Sequence, residues 1–66
     1  MKITLNGKPE ELENIATIAD LISSLGYQGK RIAVERNGEI VPKSQHALAP
    51  VAANDQIEIV VAVGGG

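Results

Sequence analysis

The group in this sequence best suited to chemistry belongs to the backbone. The chain finishes on Gly64-Gly65-Gly66, and the α-carboxylate of Gly66 is an acyl group at the tip of an arm without side chains. Such an arm enters a channel too narrow for any other residue, and fully extended it reaches about 10 Å. Glycine's freedom in φ and ψ lets the arm follow whatever path a partner's active site imposes. A free α-carboxylate, with an ordinary pKa of about 3.5, is ionised at neutral pH. An ionised carboxylate is a poor electrophile, so acyl transfer from it requires activation, for instance as a mixed anhydride with AMP. A ragged chain end is the competing reading, since disorder concentrates at termini.

Other reactive constellations are weak. The sequence has no cysteine, which removes disulfides, thiolate metal sites and any internal thiol that could attack an activated Gly66. His46 is the single histidine and reads as a solvated loop residue, with no nucleophile beside it to activate. Glu10, Glu11 and Glu13 form a charge cluster without His or Cys nearby, a solvated face and not a metal site. Gly26-Tyr27-Gln28-Gly29-Lys30 has the residue types of a phosphate loop, but the spacing is too short and no strand leads into it. Tyr27 is the only aromatic residue and the net charge is −2, which argues against stacking on bases or neutralising phosphates. No apolar run approaches the roughly 20 residues of a membrane helix, and the start lacks the apolar region of a signal peptide. The expectation is one soluble, cytoplasmic domain that is not an enzyme and binds no metal or cofactor.

The arm needs a base. Ile57-Glu58-Ile59-Val60-Val61-Ala62-Val63 reads as a strand running directly into the glycines. Ile57, Ile59, Val61 and Val63 share one face, while Val60 and Ala62 are apolar on the other, as suits a central strand whose second face serves as a docking surface. Upstream, Met1, Ile3 and Leu5 alternate with Lys2 and Thr4, and Asn6-Gly7 then suits a type I′ hairpin turn. The returning strand near Lys8 to Glu13 carries Pro9 and the glutamates, which fit an edge position. Ile18, Leu21, Ile22 and Leu25 lie at helical spacing, with Thr17 as N-cap bonded to the N–H of Asp20 and Gly26 as the left-handed stop. Two turns of helix are marginal alone, so this face must be buried on a sheet, with Tyr27 packing back on Ile22. A third strand spans Ile32–Arg36, Asn37-Gly38 turns it, and a short strand follows at Glu39-Ile40-Val41 until Pro42. Ser44 is expected to cap one helical turn over Gln45-His46-Ala47. Leu48 and Val51 are expected to dip into the core, and Asn54-Asp55 to turn the chain into the last strand.

Hairpin, helix, hairpin, loop and strand make an α+β fold in which a mixed sheet of four to five strands packs on one helix. With the last strand between the hairpins this is the β-grasp, or ubiquitin-like, arrangement: a domain over residues 1–63 and a flexible tail over 64–66.

Taken together, Asn37-Gly38-Glu39-Ile40-Val41-Pro42, Ile57-Glu58-Ile59-Val60 and Val63-Gly64-Gly65-Gly66 resemble the ThiS sulfur carriers of bacterial thiamine biosynthesis over essentially the whole chain. Two departures lie in the loop before the last strand: His46 where many relatives carry a bulkier aromatic, and Asn54-Asp55 for the usual Gly-Asp. The resemblance implies a carrier cycle. A ThiF-like adenylyltransferase would use ATP to adenylate the Gly66 carboxylate. Sulfur from cysteine, supplied by a desulfurase, would replace AMP to give a thiocarboxylate, and thiazole synthase (ThiG) would take that sulfur. Gly64 and Gly65 would thread the partner's channel, and Val60 and Ala62 would dock on it. The small subunit of molybdopterin synthase uses the same chemistry, but that family tends to be longer, with prolines and an aromatic residue before its glycines, where this chain has Val61-Ala62-Val63. A ubiquitin-like protein modifier and a plain interaction domain are the remaining alternatives.

Overall fold

Two Asn-Gly turns set the frame of the sheet. In the computed structural model, which describes residues 1–62, Asn6 and Gly7 take φ of 51° and 80°, and Asn37 and Gly38 take 52° and 85°. Positive φ at both central residues is the condition for a type I′ turn, whose twist matches that of the strands it joins. The first turn joins β1 (Lys2–Leu5) to β2 (Lys8–Glu11), and the second joins β3 (Ile32–Arg36) to β4 (Glu39–Ile40). Between the hairpins runs β5 (Gln56–Val61), parallel to β1 and antiparallel to β3, in the order β2-β1-β5-β3-β4. This is the β-grasp order expected, with five strands. All four residues of β2 are exposed on the edge, and the strand stops at Glu11, short of Glu13, because the ladder runs out of partner: Leu12, packed against the core, exchanges the last pair of bonds with Met1.

The helix, α1 (Ile18–Ser24), covers one face of the sheet with Ile18, Leu21 and Ile22. These join Ile3, Val34, Val51, Ile57 and Ile59 in a single buried cluster. Each fully buried aliphatic side chain contributes about 1.5–3 kcal/mol, and this burial offsets the marginal intrinsic stability of a helix of seven residues. No helix among the described residues is long and apolar enough to cross a membrane.

Both helix ends are closed by hydrogen bonds. The Thr17 hydroxyl accepts from the N–H of Asp20 at 3.2 Å, and an Asp20 carboxylate oxygen accepts from the N–H groups of Thr17 and Ala16. Those backbone donors hold the Asp20 carboxyl below its ordinary pKa. The free N–H groups of Ile18 and Ala19 donate to the carbonyls of Ala49 and His46, at 2.9 and 2.8 Å. At the other end Gly26, with φ of 76°, lets its own N–H reach the Ser23 carbonyl and the Tyr27 N–H reach the Ile22 carbonyl, the double bond of a Schellman cap.

The loop before β5 departs from expectation in three places. It is laid along the helix N-terminus by the bonds to Ala49 and His46, by Val51 N–H donating to Ala16, and by a bridge between Thr17 and Pro50. This tether turns Ala49 and Val51 inward and leaves Leu48 pointing out at 72% exposure, against the expectation that Leu48 fills the core. The helical turn spans Lys43–Gln45 as a 3₁₀ turn capped by Pro42, so Ser44 lies inside it and caps nothing. His46 is half-buried, with Nε2 in hydrogen-bond contact with the Val41 carbonyl at 3.1 Å, and is no freely solvated loop residue.

Candidate functional site

The candidate site is the C-terminal end of β5, and three devices hold that strand in place. Along one side β3 pairs with it from Arg36↔Ile57 to Ile32↔Val61, and the N–H of Ala62 continues the ladder by donating to the Arg31 carbonyl at 2.9 Å. Along the other side β1 reaches only as far as Leu5↔Ile57. There Asn6 takes over: its Oδ1 accepts from the Ile59 N–H at 2.8 Å and its Nδ2 donates to the Ile59 carbonyl at 3.2 Å. One side-chain amide thus substitutes for one residue of a missing strand. From sequence Asn6 had only the role of a turn former. Its second role is invisible there, since its partner is fifty-three residues away.

The entry to β5 is fixed by Asp55, the one buried charged residue among those described. Its carboxylate accepts from Arg36 Nε at 2.8 Å, Asn37 Nδ2 at 3.1 Å and the Ala52 N–H at 2.8 Å. Burial pushes its pKa up, but the Ala52 N–H, the Asn37 amide and the Arg36 guanidinium together outweigh that and leave it below its ordinary value. Asn37 also accepts from the Gln56 N–H at 2.9 Å, so the second hairpin turn is fastened to the start of β5. Asn54-Asp55 forms the expected turn, with φ of 72° at Asn54 and the Asp55 N–H donating to the Ala52 carbonyl at 3.1 Å, but the bonds of the Asp55 carboxylate to Arg36 and Asn37 have no local signal in the sequence.

The central placement gives β5 two different faces. Ile57 and Ile59 are buried under the helix and Val61 is half-buried beside them, while Val60, at 64% exposure, and Ala62 face away. Ala33 sits opposite Val60 and is exposed too, so a small apolar strip runs across β3 and β5 on the open side of the sheet. Glu35 and Glu58 pair across the same two strands immediately beside that strip. The expected orientation of Val60 and Ala62 is therefore met. Val63, Gly64, Gly65 and Gly66 lie outside the described residues, and with them the expectations of a tail over 64–66 and of a working carboxylate on Gly66. Among the described residues no cluster of His, Cys, Asp or Glu could hold a metal ion.

Comparison with known proteins places this arrangement among relatives. The ThiS family matches residues 3–66. The sulfur carrier protein ThiS of Bacillus subtilis is 40% identical over 65 residues, covering 97% of this chain and 98% of that protein. A thiazole synthase of Paramagnetospirillum magneticum is 42% identical over 66 residues, covering all of this chain but 20% of that protein, so the chain spans about a fifth of that relative's length. The crystal structure of the thiamine biosynthesis protein ThiS from Geobacter metallireducens superposes with a TM-score of 0.84 at 30% identity, over the whole of both chains. The fold is accordingly the ubiquitin-like β-grasp.

Proposed function

Because the chain belongs to the ThiS family, we propose that it is a sulfur carrier of thiamine biosynthesis whose working group is the α-carboxylate of Gly66. The observation that carries the reading is the match to the Bacillus subtilis carrier over 98% of that protein's length. The similarity of the chain to a fifth of a thiazole synthase supports the same pathway.

The chemistry proceeds in successive displacements. A carboxylate oxygen of Gly66 attacks the α-phosphorus of ATP on a ThiF-like adenylyltransferase, and pyrophosphate leaves. The acyl adenylate is then attacked at carbon by the terminal sulfur of a persulfide that a cysteine desulfurase has charged on a partner protein, and AMP leaves. A second partner thiol cleaves the S–S bond of the resulting acyl disulfide, forming a disulfide as the thiocarboxylate is released. Sulfur replaces one carboxylate oxygen, and the thiocarboxylate is the donor to thiazole synthase. The chain itself supplies no catalytic side chain. It supplies a rigid strand, fixed by Asn6, Asp55 and β3, from which residues 63–66 continue. Gly64 and Gly65 add no side-chain bulk to a channel that must admit the carboxylate. ATP is the partner's cosubstrate, and the carrier binds no cofactor of its own.

Incubation with the adenylyltransferase, ATP, desulfurase and cysteine tests this by intact mass. The chain is expected to gain the mass difference between sulfur and oxygen. Deletion of Gly66 is expected to abolish the gain and to leave the thermal midpoint unchanged, since the core cluster runs from Ile3 to Ile59. An unmodified wild-type mass with competent partners overturns the proposal, and a stable conjugate to a lysine of another protein favours a modifier instead.

A further inference from the structure

Three of the chain's six lysine and arginine side chains, Lys30, Arg31 and Lys43, line one cavity of about 150 Å³. Its apolar lining is Ile22, Tyr27 and Ile32, and no carboxylate lines it, although the chain as a whole carries a net charge of −2. The described ion pairs join the Met1 amino group to Glu11 and Arg36 to Asp55, so none of the three cations is neutralised within the described residues. Like charges gathered around a partly apolar cavity repel one another, and an anion placed among them relieves that repulsion.

Size and lining limit which anion. Pockets for whole small molecules run to roughly 300–1,000 Å³, so this cavity is too small to enclose a nucleotide and has room for a single side chain. The apolar wall suits a methylene stem, and the cationic rim suits a carboxylate. Position limits who carries it. Ile32 pairs with Val61, and the Arg31 carbonyl accepts from the Ala62 N–H, so the cavity opens at the end of β5 from which residues 63–66 continue. A protein that grips those residues comes within a side chain's reach of it. We infer that the cavity is the seat for a glutamate or aspartate side chain of the adenylyltransferase that activates Gly66, an anchor that orients the carrier while the carboxylate meets ATP. This rests on the sulfur-carrier reading above and adds to it a specific contact on the helix side of the sheet, opposite the strip of Val60 and Ala62.

The test is ATP–pyrophosphate exchange by the adenylyltransferase with the full chain as substrate, comparing wild type with Arg31→Glu, Lys43→Glu, Lys43→Gln and Lys43→Arg. Lys8→Glu, on the far edge strand β2, serves as the control for overall charge. The expected result is a KM raised about tenfold by each reversal at the cavity, with kcat unchanged. Lys43→Gln should fall between, while Lys43→Arg and Lys8→Glu stay near wild type. All three side chains to be changed are exposed, so thermal midpoints should shift by no more than a few degrees. An unchanged KM in the cavity variants overturns the inference and leaves the carrier reading intact. An equal rise with Lys8→Glu overturns it too, because it would report the general field of the chain and no seat. Wild-type chain that supports no exchange overturns the carrier reading, and this inference with it.

Discussion

Asp55 concentrates more of the fold's polar bonding than any other side chain described. Three donors from two separate segments converge on it: the Ala52 N–H, the Asn37 amide and the Arg36 guanidinium. Removing the acceptor leaves those donors to be re-satisfied at the entry to the central strand, and a hydrogen bond to a charged group is worth about 1.5–3 kcal/mol. Asp55→Ala is therefore expected to cost about 2 kcal/mol, which for a domain of this size lowers the thermal midpoint by about 10 °C. The pH dependence has a definite sign. The folded pKa of Asp55 lies below its ordinary value, so the folded state favours the carboxylate. Its stabilisation is complete above the unfolded pKa of about 3.9 and is lost as pH falls through the lower folded value. Stability of the wild type should hold from neutrality down to about pH 5 and decline below about pH 4, with Asp20 contributing in the same direction. Asp55→Asn should flatten that decline, as followed by urea midpoints across pH. An acid decline as steep in Asp55→Asn as in wild type would remove Asp55 from this account.

At the scale of elements, the legible parts were those whose cause is local. Both Asn-Gly turns, the Thr17 cap and the Gly26 stop each depend on residues within five positions of one another, and each forms as read. The limits of β3 were legible for the same reason, lying between a glycine-containing turn and Asn37-Gly38. Leu48, His46 and Asn6 were not, because their settings come from other segments. Hydrophobicity alone favours Leu48 over Ala49 as a core residue, and only the bonds from the helix N-terminus to Ala49 and His46 decide otherwise. The sheet also carries a conflict: Glu35 and Glu58 are both exposed and stand directly opposite each other. Like charges in that position destabilise a sheet by about 0.2–1 kcal/mol relative to neutral pairs. Glu58→Lys should accordingly raise the stability of the isolated chain by about 0.5 kcal/mol, with a gain that shrinks in high salt. A urea midpoint that falls or stays constant at low salt would show that the pair is relaxed by water.

Across the whole molecule, the end of β5 separates two chemically distinct sides. On the helix side lie the cations of the small cavity, and on the open side lie Ala33, Val60 and Ala62 beside the two glutamates. On the sulfur-carrier reading, a partner acting on residues 63–66 would meet both, and the open side would offer it the apolar strip. Exposed apolar surface grouped in this way commonly marks a partner site. Ala62→Asp isolates that contribution. The backbone N–H that pairs with Arg31 is kept, and a substitution at an exposed sheet position costs the isolated chain well under about 1 kcal/mol. If Val60 and Ala62 dock on the adenylyltransferase, a buried carboxylate without a partner penalises the complex by more than it penalises the fold. The expected outcome is an adenylation KM raised more than about tenfold, with a thermal midpoint within a few degrees of wild type. Ala62→Lys should act in the same direction, which separates loss of apolar contact from the charge preference of the opposite side. Equal adenylation kinetics in wild type and both variants would exclude this face from the interface, and a rise with aspartate but not lysine would assign the effect to charge alone.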